Sequence, residues 1–179
     1  EMFRQDDKLW ASRIYDNTNS LIGGSQGKGC ALACLAMVLK AFGVNTDPDR
    51  LNQWMKEKKC FTDNGGVNWA KTFAQYPGCS VKILNDKILG NGVKLDTVTR
   101  HSIPAGPAPS LQQLDATISS GLPCVAQVIN PDSHNGHYIL VTGKIGDDYT
   151  ILDPGTSKPR YALKASNLTI YKYMPIALK

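Results

Sequence analysis

Three observations predict an α+β fold with an N-terminal helical half and a C-terminal antiparallel sheet. Helical hydrophobic periodicity dominates the first half. Short β-branched runs take over after residue 121, and Pro, Gly and Asp separate those runs. A chain of 179 residues, 42% hydrophobic and 20% charged, is long enough to bury a sizeable core as one domain over residues 1–179. Within it we expect an N-terminal extension over 1–20, a helical lobe over 21–102 and a β-sheet lobe over 110–179.

Residues 1–20 are polar and irregular, with Trp10, Ile14 and Tyr15 available to pin them to the body. A glycine-rich lead, GGSQGKG, then runs into a helix over Ala31–Phe42. Leu32, Leu35, Ala36, Leu39 and Phe42 recur there at three- and four-residue intervals, and Gly43 supplies the stop. Asp47-Pro48 starts a second helix, with Leu51, Trp54 and Met55 on one side. A third helical segment, 67–76, carries Val67, Trp69, Ala70 and Phe73 and ends at Pro77-Gly78.

A short strand near 80–84 follows, and the prolines of IPAGPAPS (103–110) make a connector. Ser110 with Gln113 forms a capping box for a helix that ends at Gly121. The runs CVAQVI (124–129), HYILVTGKI (137–145) and YTILD (149–153) are the sheet strands. There is neither an internal repeat nor a low-complexity segment.

Charge and composition remove several function classes. The net charge is +5, but Lys and Arg are scattered, and the one cluster, KEKK at 56–59, reads as a solvated helix face. Nucleic-acid binding is therefore not expected. No window approaches the roughly 20 apolar residues of a membrane span, and EMFRQDDKLW lacks the layout of a signal peptide, so a soluble protein is expected. It begins with Glu, which fits a processed or secreted product or a piece of a larger protein. Cysteines 30, 34, 60, 79 and 124 are odd in number and lack C-x-x-C spacing, which suggests free thiols and neither a disulfide framework nor a zinc site. Nothing in the composition calls for a cofactor.

Cys30 stands at the first turn of its helix, where unpaired amides and the helix dipole favour thiolate over thiol. Against this, most free cysteines are small buried hydrophobes. The base would come from His101, His134 or His137. His137 opens an apolar strand, where a polar side chain is costly without a partner or a function, whereas His101 and His134 lie in irregular, polar stretches. The His134–His137 pair spans a loop rather than one helix face, which argues against a metal. A hairpin turning at Gly146-Asp147-Asp148 would return Asp153 to within a few residues of His137, where it could orient the imidazole. The bland alternative for Asp153 is a turn residue of Asp-Pro-Gly. Gln26, in the loop before Cys30, could donate to an oxyanion beside the Cys30 amide, or be an ordinary loop residue.

The order of Gln26, the helix-start Cys30-Ala31-Leu32-Ala33-Cys34-Leu35, Gly121-Leu122-Pro123, His137-Tyr138-Ile139-Leu140-Val141-Thr142-Gly143 and Asp153-Pro154 resembles the papain-like cysteine peptidases. The likeness is greatest to the bacteriocin-leader (double-glycine) peptidases and their stand-alone relatives, over roughly residues 20–160. It implies a papain-like two-lobe fold and a cysteine peptidase of bacterial or phage type, with Cys30, His137 and Asp153 as triad and Gln26 at the oxyanion. Ala31 stands where the family commonly has Gly, and Gln26 lies closer to the cysteine than in papain. Cys34, one turn on, is a packing residue.

The expected partners are a peptide, a protein or a cell-wall peptide. A peptidoglycan cross-link hydrolase on the same triad and an inactive peptide-binding module are the alternatives. Acyl transfer to an amine is a third.

Overall fold

The computed structural model describes residues 1–16, 18–24, 27–90, 109–129, 136–155 and 161–179. The connector over 103–108, His101, His134 and Gln26 lie outside the described residues. The chain forms two compact units. The first comprises Glu1–Lys82, Asp153–Pro159 and Leu178–Lys179, and the second Ile83–Leu152 and Arg160–Ala177.

The first unit holds three helices, as the periodicity predicts. Helix α1 is Cys30–Ala41, with Ala31 through Leu39 all buried. Gly43, at φ +80°, ends it by donating its N–H to the Lys40 carbonyl (3.1 Å). Helix α2 is Pro48–Glu57, with Asp47 as N-cap accepting the Arg50 N–H at 2.9 Å. Leu51 and Met55 are fully buried, while Glu57, Lys58 and Lys59 face solvent. Trp54 is half-buried and meets Tyr76 edge-on at 4.7 Å.

Helix α3 is Trp69–Gln75, with Trp69 and Phe73 buried. Ala70 points outward instead, because the helix begins only at Trp69 and its inner stripe runs through Trp69, Thr72 and Phe73. Two short strands, β1 (Ile14–Tyr15) and β2 (Ser20–Leu21), pair antiparallel. Trp10 and Tyr15 do anchor the N-terminal stretch, at 6% and 2% exposure, whereas Ile14 is 49% exposed. Strand β3, Val81–Ile83, carries the chain out of this unit.

The second unit is an antiparallel sheet with one helix. Strands β4 (Leu89–Gly90), β5 (Cys124–Ile129), β6 (Gly136–Ile145), β7 (Asp148–Leu152), β8 (Tyr161–Ala162) and β9 (Thr169–Met174) lie in the order β4-β9-β5-β6-β7-β8. Helix α4, Gln112–Ser119, sends Leu114 into a core with Cys124, Ala126, Val128, Ile139 and Val141. Together the units make an α+β protein.

Helix α4 departs from the expected start. Leu111 is its N-cap and no side chain caps it; the Ser110 hydroxyl lies 3.5 Å from the Gln112 N–H. The capping box does not form because the Ser110 carbonyl is held by the Tyr173 hydroxyl (2.6 Å), which leaves Ser110 one residue before the cap. Strand β9, absent from the expectations, sits between the edge strand β4 and β5.

Candidate active site

The local sequence around Cys30 folds as it does because its glycines admit close backbone approach. Gly29, the N-cap of α1, donates its N–H to the Ile22 carbonyl at 2.9 Å, and Lys28 donates to Leu21 at 3.0 Å. A Cβ on Gly29 would fall 2.5 Å from both Ile22 Cγ2 and the Ile22 carbonyl oxygen. One on Gly27 would fall 2.5 Å from the Gly23 carbonyl carbon, and one on Gly23 2.5 Å from the Gln5 oxygen. The spacing of glycines 23, 27 and 29 is thus the imprint of a folded-back loop ending at the thiol.

The N-terminal stretch clamps that loop from outside. Gly23 donates to the Ala11 carbonyl at 2.9 Å, and Gly24, at φ +84°, donates to Asp6 Oδ1 at 2.7 Å. The same stretch reaches the segment after Asp153, where the Gln5 N–H donates to the Pro154 carbonyl at 3.0 Å. Sequence reasoning treated residues 1–20 as an extension and missed this role. The signal was faint, because the clamp is made almost wholly by backbone groups.

Cys30 is the first residue of α1 and is half-buried, and no side chain caps the amides around it. All five cysteines are free thiols. Cys34, Cys60 and Cys124 are 0% exposed and Cys79 8%, so Cys30, half-buried, is the most solvent-accessible of the five thiols. Burial pushes the Cys34 thiol well above its ordinary range, and the nearby charges of Cys30 and Asp153 push the same way. Cys34 is therefore an inert packing group, and it marks Cys30 and Asp153 as neighbours of one buried point in the first unit.

Asp153 follows β7 and is half-buried; its Oδ1 accepts the Gly155 N–H at 2.8 Å, an Asx turn over Asp-Pro-Gly. In the second unit His137 is the second residue of β6, half-buried, and lies in register with Val128 of β5. The β6–β7 hairpin turns at Gly146, φ +60°, and pairs Leu140 with Leu152. Its last paired residue on β7 is thus the one before Asp153, and that residue's partner lies three positions beyond His137. Among the described residues no group of three or more His, Cys, Asp or Glu side chains is placed to hold a metal ion.

A family model described as Peptidase_C39 like family matches residues 7–175, and the chain belongs to that family of cysteine peptidases. None of the curated proteins matches it.

Proposed function

We propose that the protein is a papain-like cysteine peptidase of bacterial or phage origin that hydrolyses amide bonds with Cys30, His137 and Asp153 as triad. The observation that carries this is that Cys30, at the start of a buried helix, is the most solvent-accessible of the five thiols. The Cys30 thiolate attacks the amide carbonyl, and the tetrahedral oxyanion is held by the Cys30 amide and the Gln26 side chain. The C–N bond then breaks as imidazolium His137 gives its proton to the leaving amine, which departs and leaves a thioester on Cys30. His137 next takes a proton from water, whose hydroxide adds to the thioester; the acid product leaves and the thiolate–imidazolium pair is restored. Asp153 holds the imidazole in orientation throughout. Such proton transfer is worth about 10²- to 10⁴-fold in rate.

The substrate class this supports is a peptide, including a cell-wall peptide. No helix among the described residues is long and apolar enough to cross a membrane. The test combines substoichiometric iodoacetamide labelling across pH 4–9 with cleavage of a random peptide mixture. Cys30 is expected to label first, with a reactivity midpoint below the ~8.5 of a free thiol that rises in His137→Ala. Peptide cleavage should disappear in Cys30→Ala. First labelling at Cys60 or Cys79, or cleavage that persists in Cys30→Ala, would remove the thiol from the mechanism.

A further inference from the structure

Two polar turns of the first unit meet over a buried carboxylate. Tyr15, the last residue of β1, packs edge-on against Phe61 at 5.1 Å, and each ring stands immediately before a turn. After Tyr15 comes the turn between β1 and β2, which begins at Asp16. After Phe61 comes a turn closed by the Thr62 N–H donating to the Gly66 carbonyl (2.7 Å) and the Gly65 N–H to the Thr62 carbonyl (2.9 Å). Gly65, at φ +77°, faces Asp16 so closely that a Cβ there would collide with Asp16 Oδ2 and lie 2.9 Å from its Cγ. The missing side chain is what admits the carboxylate to the second turn.

That carboxylate is only half satisfied. Asp16 is 3% exposed and sits at φ +50°, a left-handed conformation that Asp tolerates better than most residues. Its Oδ1 accepts the Thr18 N–H at 2.5 Å and the Thr18 hydroxyl at 2.7 Å. Its Oδ2 is buried and accepts no hydrogen bond. Among the described residues no cation of the chain pairs with it. Lys56, whose ammonium reaches β1, donates to the Ile14 carbonyl instead, and the ion pairs join other groups. A buried carboxylate without a counter-charge is costly, so this oxygen calls for a positive ligand.

We propose that the two turns form a calcium site, with Asp16 Oδ2 as its buried anchor. Asp63 and Asn64 stand at the exposed tip of the second turn, just before Gly65, and their side chains have no protein partner among the described residues. The Thr18 and Ser20 hydroxyls, 2.9 Å apart, edge the first turn. All of these are oxygen ligands: two carboxylates, an amide and hydroxyls, with backbone carbonyls and water completing the roughly six to eight that calcium takes. Nitrogen and sulfur, which zinc and copper prefer, are not among them. Turns of mixed oxygens suit calcium's loose geometry better than magnesium's strict octahedron. With only two carboxylates the affinity is modest, a Kd on the order of 10⁻⁴–10⁻³ M. The site does not depend on the peptidase reading, yet it bears on the thiol. Strand β2 ends at Leu21, and the carbonyl of the next residue, Ile22, accepts the Gly29 N–H in front of Cys30. A cation that joins the turns therefore steadies the strand pair from which the thiol's loop departs.

The test strips the full chain with a chelator, titrates it with CaCl2 by calorimetry and follows thermal melting. One calcium per chain is expected to bind, and at about a hundredfold excess over Kd the melting midpoint should rise by about 5–10 °C. MgCl2 should bind at least about tenfold more weakly, because magnesium gives up its water reluctantly. Terbium, a luminescent stand-in for calcium, should emit when the neighbouring Tyr15 ring is excited, and calcium should displace it. Asp16→Asn, which keeps an acceptor for Thr18, should abolish the calcium heat and the terbium emission. Asp63→Asn, at an exposed position, should weaken both by about ten- to a hundredfold, while Asp147→Asn in the second unit leaves them unchanged. Should Asp16→Asn fail to fold in the absence of calcium, the contrast between Asp63→Asn and Asp147→Asn decides. No calcium heat in the wild type, equal protection by MgCl2, a response that survives in folded Asp16→Asn, or one that Asp63→Asn does not move would overturn the site and leave Asp16 complemented by solvent alone.

Discussion

At the scale of single residues, the thiol's position depends on a glycine that no chemistry mentions. Gly29 must lack a side chain because its Cβ would strike the Ile22 carbonyl, a backbone group that cannot swing aside. Gly29→Ala is expected to cost about 1–3 kcal/mol of unfolding free energy in urea. It should also slow iodoacetamide labelling of Cys30 as the first turn of α1 shifts; an unchanged labelling rate would show that the loop sets stability alone. Cys34→Ala should do the opposite. Its thiol is buried and held protonated, so peptide cleavage and Cys30 labelling should persist with only a modest loss of stability. The difference between these cysteines was legible in sequence, since one opens the hydrophobic run and the other lies one turn inside it. The Asx turn made by Asp153 was legible too, as the bland alternative for that residue, and both its turn and its proposed orienting role use the same carboxylate. The clamp of residues 5–11 on the loop was not legible, because backbone hydrogen bonds leave no trace in side-chain pattern.

At the scale of elements, α4 is tied to the β6–β7 hairpin by one carboxylate. Asp115 accepts the Tyr149 hydroxyl at 2.5 Å and the Lys144 ammonium at 2.9 Å. The Tyr149 bond, and then Lys144, hold its carboxyl below the usual range, while burial and the same bond raise the Tyr149 phenol. A depressed folded pKa stabilises the fold above the unfolded value near 3.9, and the effect fades as pH falls through the folded value. Asp115 is 42% exposed, so screening limits the contribution to under about 1 kcal/mol. The urea midpoint of Asp115→Asn should sit below wild type at pH 7, and the gap should close toward pH 2–3. A gap that stays constant would assign the effect to packing. Elements marked by an unbroken apolar run, such as α1 and the strands at 124–129 and 136–145, or by a helical apolar stripe, such as α2, were readable within a residue or two. Strand β9 was not, since Lys172 splits its apolar residues into the pairs Ile170-Tyr171 and Tyr173-Met174, which leaves neither a continuous run nor a strict alternation. Helix α4 was found but its start was misplaced, because a distant tyrosine decides where Ser110 sits.

At the scale of the whole molecule, the chain order couples the two units. The path passes from the first to the second after Lys82, returns at Asp153, leaves again after Pro159 and ends back in the first at Leu178–Lys179. The first unit is therefore completed by late segments: Pro154 accepts the Gln5 amide, and the Lys179 N–H donates to the Ser80 carbonyl at 3.0 Å. Neither unit is a continuous piece of sequence, a fact invisible to any reading that proceeds element by element. Each crossing ties the order of one unit to the closure of the other, so the two should unfold together rather than in turn. The sequence supplies separate reporters for this. All three tryptophans, Trp10, Trp54 and Trp69, belong to the first unit, while the six-stranded sheet that dominates the strand signal in far-ultraviolet circular dichroism belongs to the second. In urea, tryptophan fluorescence and the strand signal are expected to change with one midpoint and one slope. Pro154→Gly, chosen to loosen the returning segment, should lower both midpoints equally. A tryptophan transition that moves alone would mean that the first unit unfolds independently, and that the late segments close it without coupling it to the sheet.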